Sequence, residues 1–197
     1  MLSAMNALLR PPPLPTPHRI TRAEYRAMSQ AGVFPPDMQL ELIEGELIEM
    51  PGDGHRTIEW NAAMVRWLNR SLSDDYIVVP DKSLGVDDHN EPKPDIWVFP
   101  ASLKVKDLLA KDTLLVIEVS DTTLAYDQRK ARVYEKGGVR EYWIVDIEGR
   151  RILVHRLGPE GGYGQPSVVG ESEAAEALLI PGLAFRIRDF PRLAELD

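Results

Sequence analysis

Residues Thr113 to Ser120 read TLLVIEVS, a short run of leucine, isoleucine and valine with a single acid inside it. So short an apolar, partly β-branched run predicts a central strand buried on both faces. Side chains alternate across a strand, which sets Leu114, Val116, Glu118 and Ser120 on one face. An unpaired carboxylate buried there typically costs several kcal/mol, so Glu118 needs a cation, a metal or a hydrogen-bond partner. The plain alternative is a partly solvated strand end paired with an arginine, and the strand by itself does not choose.

The sequence around that strand predicts an α/β or α+β protein with a mixed sheet. Thr21 and Glu24 form a capping-box pattern that starts the helix TRAEYRAMSQ, ending near Gly32. MQLELIEGELIEM alternates apolar and acidic residues about Glu44-Gly45, the pattern of a β-hairpin, with Leu40, Leu42, Leu47 and Ile48 on its buried side. A helix from about Thr57 to Leu72 follows, its apolar face drawn from Ile58, Ala62, Val65, Leu68 and Leu72. DYIVVPDKSLGV and KPDIWVFP are strands, the first ending near Pro80, and residues 102 to 111 are a loop or short helix. Asp127 is a plausible N-cap for the helix QRKARVYEKGG, which the glycine pair ends. REYWIVDIEGRRILVHRL forms a second hairpin with its turn at Glu148-Gly149. Residues 158 to 176 are expected to be irregular, and ALLIPGLAFRIRDF to close the domain with a strand and a short helix. The strand, helix, strand order from 114 to 146 fits a parallel βαβ step.

Residues 1 to 17 form a proline-rich leader, and 18 to 197 a single domain. The absence of cysteine excludes disulfides, thiolate zinc sites and cysteine nucleophiles. No stretch is long and apolar enough to span a bilayer, and the N-terminus lacks a basic region and cleavage site, so the expected compartment is the cytoplasm. A net charge of −8 argues against binding nucleic acid through the whole surface. The charge is uneven, however: residues 127 to 156 carry eight Lys/Arg against five Asp/Glu, or +3, leaving −11 elsewhere. A local basic region is compatible with holding a phosphate backbone, although solvated faces give the same statistic.

Asp95 stands at a strand start after Pro94, and Glu118 at the end of the next strand. Adjacent strands lie about 5 Å apart, so the two carboxylates could chelate one divalent cation, and oxygen-only ligands favour Mg²⁺ or Mn²⁺ over zinc. Lys130, near the start of the following helix, could add positive charge to the same site.

With ELIEGELIEM, the histidine of GDGHRTIEW, KPDIWVF, VIEVSDTTLAYDQRKARVYEKGGVREYWIVD and IPGLAF in this order, the chain resembles the PD-(D/E)xK nuclease superfamily. More closely, it resembles the bacterial Uma-type family described as putative restriction endonucleases, over nearly everything from His18 to Phe190. The resemblance implies a restriction-endonuclease-like core, a mixed sheet flanked by helices with additional hairpins. It also implies a metal-dependent endonuclease that hydrolyses phosphodiester bonds of DNA. Asp95 matches the aspartate of the PD element, and Glu118 the second acid. Ser120 occupies the position of the usual lysine, and Lys130 on the next helix matches the replacement, one residue closer to Asp127 than the family pattern. Glu44 matches an acid that completes the shell, making Glu44, Asp95 and Glu118 the expected metal ligands.

Each residue also has a plainer reading. Glu44 is then a turn residue, Lys130 an exposed helix lysine, His55 a helix start, Asp127 a cap, and Tyr134, Tyr142 and Trp143 core aromatics. Gln128 and Arg129 are weaker candidates for phosphate contacts. Many nucleases cut both strands as dimers, so a homodimer is a further expectation. Ser120 keeps open a catalytically inactive relative that binds nucleic acid or protein, and a small-molecule hydrolase using the same acids is a weaker possibility.

Overall fold

The structure, a computed structural model, describes residues 15–190. The expected leader therefore lies almost wholly outside the described residues. In chain order the elements are α1 (Arg22–Gln30), β1 (Leu40–Ile43), β2 (Glu46–Glu49), α2 (His55–Ser71), β3 (Tyr76–Pro80) and β4 (Ile96–Pro100). They continue with β5 (Leu115–Ser120), α3 (Leu124–Lys136), β6 (Glu141–Asp146), β7 (Arg151–Arg156), β8 (Ser167–Gly170), β9 (Ala175–Glu176) and β10 (Ala184–Phe185).

Strands β3 to β8 form one six-stranded sheet in sequence order. Only β5 and β6 are parallel, joined through α3 as the βαβ reading requires. All six residues of β5 and all six of β6 are buried, since helices cover both faces. On one face α2 contributes Trp60, Met64 and Leu68 to a core with Ile96, Ile117 and Trp143. On the other, α3 contributes Ala131 and Tyr134 to a core with Trp97, Val116 and Tyr142. A fully buried side chain of this size stabilises the fold by about 1.5–3 kcal/mol, so the two layers fix the sheet between the helices. Tyr134, Tyr142 and Trp143 are core aromatics, as the plainer reading held.

Several local expectations shift. The buried stripe of α2 is Trp60, Met64 and Leu68, whereas Ile58 is 52% exposed, because the largest apolar side chains take the sheet-facing side. Helix α3 begins one turn earlier than expected, at Leu124, so Asp127 lies inside its first turn and not at its N-cap. Thr123 holds the cap position, and its hydroxyl donates to Asp127 at 2.7 Å. Residues 158 to 176 are not wholly irregular, since β8 pairs with β7 as an edge strand of the main sheet. The expected terminal helix is a single 3₁₀ turn at Ile187–Asp189. The capping box at Thr21 and Glu24 is present in full.

Hairpin β1–β2 turns at Glu44 and Gly45, with φ of 51° and 79°. Positive φ at both central residues is the type I′ turn that matches strand twist, and glycine supplies the second position at least cost. A Cβ at Gly45 would lie 2.6 Å from Arg19 Cβ. The hairpin is pinned to residues 89–91: Leu42 and Glu91 exchange backbone hydrogen bonds, and the amide of Glu44 donates to Asn90 Oδ1 at 2.7 Å. This docking buries Leu42 and Ile43, and with them Glu41, while Leu47 and Ile48 stay half-buried.

Among the described residues no helix is long and apolar enough to cross a membrane.

Candidate active site

The register of β4 and β5 pairs Ile96 with Ile117, which brings Asp95 beside Glu118. The amide of Asp95 lies 3.3 Å from Glu118 Oε2, and the amide of Val119 donates to Asp95 Oδ2 at 2.6 Å. Asn61, on α2, donates from Nδ2 to Asp95 Oδ1 at 2.9 Å. Glu118 is 3% exposed, which excludes the partly solvated reading.

The partner of Glu118 is Lys130. Its ammonium lies 2.7 Å from Glu118 Oε1, 3.1 Å from Glu41 Oε1 and 3.8 Å from Asp127 Oδ1. At 2% exposure Lys130 is not the exposed helix lysine of the plainer reading. One turn of α3 further on, Tyr134 donates from its hydroxyl to Glu118 Oε1 at 3.1 Å. The Tyr126 hydroxyl donates to Glu41 Oε2 at 2.6 Å, and its ring stands 5.2 Å from the Lys130 ammonium.

Glu44 does not join this cluster. It sits at the hairpin turn, where Lys136 reaches it at 3.4 Å and Arg129 at 3.9 Å. The hairpin acid that meets Lys130 is Glu41. Sequence reasoning missed it, because Glu41, Glu44, Glu46 and Glu49 all alternate with apolar residues. What selects Glu41 is the docking of β1 on residue 91, a tertiary contact. In the sequence Asp127 reads as a cap in preference to a ligand, and Asn61 and Tyr126 carry no signal. His55 and Gln128 are exposed.

A cleft of about 220 Å³ opens over these groups, lined by Glu41, Asp95, Glu118, Asp127 and Lys130 among others. Four of those side chains are carboxylates and one is an ammonium. Burial raises Asp95 to about 6, against the hydrogen bonds from Val119 and Asn61 and the pull of Lys130. Burial likewise holds Glu118 well above the usual carboxylate range, with Lys130 opposing it and Asp95 adding to it. Asp127 is raised for the same leading reason. Desolvation disfavours the charge on Lys130, but Glu118, Glu41 and Asp127 outweigh it and keep the lysine protonated far above its ordinary range. Lys130 is therefore a fixed cation and hydrogen-bond donor, not a base. The cluster holds more negative charge than one lysine balances, and hard oxygen donors in excess suit a divalent cation. Among the described residues, no three His, Cys, Asp or Glu side chains already stand close enough together to hold a metal. Asp95 and Glu118 are adjacent and line the cleft, and are the pair that could hold one.

A stability consequence follows for the metal-free protein. An acid raised from 3.8 unfolded to about 6 folded binds more protons when folded, so it costs stability as pH rises through that window. Asp95→Asn removes this cost. Asn61 Oδ1, buried without a hydrogen-bond partner, can accept from the new amide after a flip of the Asn61 side chain. In EDTA, the variant is expected to gain on wild type between about pH 4 and 6 by on the order of 3 kcal/mol, with no further change above. Urea denaturation across that range checks it; a constant difference would show that Asp95 is not held in this way.

The profile of the Uma2 family, described as putative restriction endonuclease, matches residues 22–188. A crystal structure from Anabaena variabilis ATCC 29413, described as a putative nuclease belonging to DUF820, superposes with a TM-score of 0.68. The two sequences are 18% identical, and the match covers 84% of this chain and 98% of that one. Likeness at that identity shows the fold alone: a mixed sheet flanked by helices, shared with that structure. No curated protein matches the sequence.

Proposed function

Because the chain belongs to the Uma2 family of putative restriction endonucleases, we propose that it is a metal-dependent endonuclease hydrolysing phosphodiester bonds of DNA. The observation that carries this reading is the position of Lys130. Although Ser120 takes the place of the usual lysine, an ammonium from α3 stands 2.7 Å from Glu118. Asp95 and Glu118 would hold Mg²⁺ or Mn²⁺, while Glu41 holds Lys130 in place beside them. A bound divalent ion lowers the pKa of water and neutralises charge on a phosphoryl oxygen.

The chain's own groups do the positioning. Val119 and Asn61 each direct a hydrogen bond at Asp95 and so fix the orientation of its carboxylate. Tyr134 and Lys130 do the same for Glu118. Lys130, fixed between Glu118 and Glu41 and permanently protonated, can donate a hydrogen bond to the attacking water or to the scissile phosphate. In the reaction the water oxygen bonds to phosphorus and gives up a proton to solvent, the bond to the leaving sugar oxygen breaks, and that oxygen takes up a proton from solvent. Stabilisation of the pentavalent charge by preorganised donors is commonly the largest contribution in such chemistry.

A second reading has support of its own. A non-catalytic relative that binds nucleic acid or protein fits the engagement of Lys130 by two buried carboxylates. Plasmid cleavage separates the two. Wild-type protein with Mn²⁺ or Mg²⁺ is expected to nick or linearise supercoiled DNA, and Asp95→Ala to slow this at least about a hundredfold. No cleavage with either metal, or equal cleavage by the variant, would contradict the enzyme.

A further inference from the structure

The rim of the cleft carries an ion pair that the proposed chemistry does not use. Asp81 follows β3 with φ at 52°, one of three non-glycine residues with positive φ among those described. Its amide donates to the carbonyl oxygen of Asp95 at 2.9 Å, which ties this left-handed turn to the acid pair. A non-glycine residue in that conformation is strained and persists only where its surroundings hold it. The Asp81 carboxylate, 69% exposed, meets the Lys93 ammonium at 2.6 Å. The same ammonium donates to Gln39 Oε1 at 2.7 Å.

Lys93 is anchored from below. Its backbone amide donates at 2.8 Å to Glu41 Oε1, the oxygen that also accepts from Lys130. Its backbone thus belongs to the cluster while its ammonium stands at the mouth, with the side chain 25% exposed. Lys93 and Lys130 are the lysines that line the cleft. Lys130 is buried and held by carboxylates, whereas Lys93 is held by an exposed carboxylate and an exposed amide. A solvent-accessible ion pair of this kind is weak, so another anion can displace Asp81.

We propose that Lys93, with Gln39 beside it, is the contact for a backbone phosphate of the polynucleotide, and that Asp81 fills this contact in the free protein as a competing anion. The proposal rests on the nuclease reading above and deepens it. Removing the lysine must weaken binding, and removing the competing charge must strengthen it. If the pair were only structural, both changes would act in one direction.

The experiment measures affinity for a short fluorescent DNA duplex by anisotropy in Ca²⁺, across a salt titration, with Mn²⁺ cleavage measured on the same proteins. Lys93→Met is expected to bind about tenfold more weakly and to lower the slope of log affinity against log salt by about 1. Lys93→Arg restores most of the affinity, and Asp81→Asn binds about threefold or more tightly. Opposite shifts for Lys93→Met and Asp81→Asn support the site even if no protein cleaves, in which case only the nuclease reading fails. Cleavage that depends on Glu118, with affinity and salt slope unmoved by either rim variant, overturns the site and leaves the enzyme standing. Shifts in the same direction overturn it as well. Wild-type protein that binds no duplex contradicts both.

Discussion

Lys130→Met is expected to lower stability by about 3–5 kcal/mol at neutral pH and to abolish cleavage. The side chain is 2% exposed, and its ammonium lies within hydrogen-bonding distance of Glu118 and Glu41, with Asp127 at 3.8 Å. Methionine fills much of the same volume but leaves three buried carboxylates without their counter-charge. The cost should depend on pH in a definite direction. Burial already holds Glu118 and Asp127 above the ordinary carboxylate range, so these acids are neutralised early as pH falls. The penalty is present while they are ionised and shrinks towards acid pH, where variant and wild type converge. Urea denaturation in EDTA at several pH values measures this. A variant as stable as wild type at neutral pH would mean that the cluster is not held by Lys130.

Glu118→Gln is expected to lose cleavage as well, by at least about a hundredfold, but with stability unchanged or raised. The amide keeps an acceptor for the Tyr134 hydroxyl, and Lys130 keeps Glu41 and Asp127. What disappears is a charge whose burial is costly, as the raised position of the Glu118 carboxyl reflects. A site that stores like charge for a metal should be relieved by losing one acid, and should lose function with it. Thermal melts in EDTA beside Mn²⁺ cleavage rates give both readings from one preparation. A large loss of stability would show that Glu118 is chiefly a structural partner of Lys130.

The parts of this fold legible in the sequence are those set by local periodicity. TLLVIEVS is the central strand because only a position covered on both faces tolerates so continuous an apolar run, and its neighbours follow from the βαβ step. The turn at Glu44-Gly45 and the capping box at Thr21 were legible because each is complete within four residues. Asp95 and Glu118 were found because strand ends and strand spacing place them together. Less legible were the features decided by contacts between distant segments. Glu41 is chosen over Glu44 by the docking of β1 against residue 91, and nothing in the alternating pattern distinguishes the two. Asp127 reads as a cap from its residue type, yet the helix starts a turn earlier and turns its carboxylate towards Lys130. The four residues of β8 carry too short a pattern to stand out from a glycine-rich segment.

The proposed metal site is Asp95 and Glu118, with Lys130 beside Glu118. Soaking crystals of the protein in Mn²⁺ and collecting anomalous diffraction tests it most directly. The strongest anomalous peak is expected between the carboxylates of Asp95 and Glu118, at about the 2.0–2.3 Å bond lengths of hard divalent ions, and is expected to be absent in Glu118→Gln. A saturated crystal with no peak there, or with its strongest peak elsewhere, would contradict it.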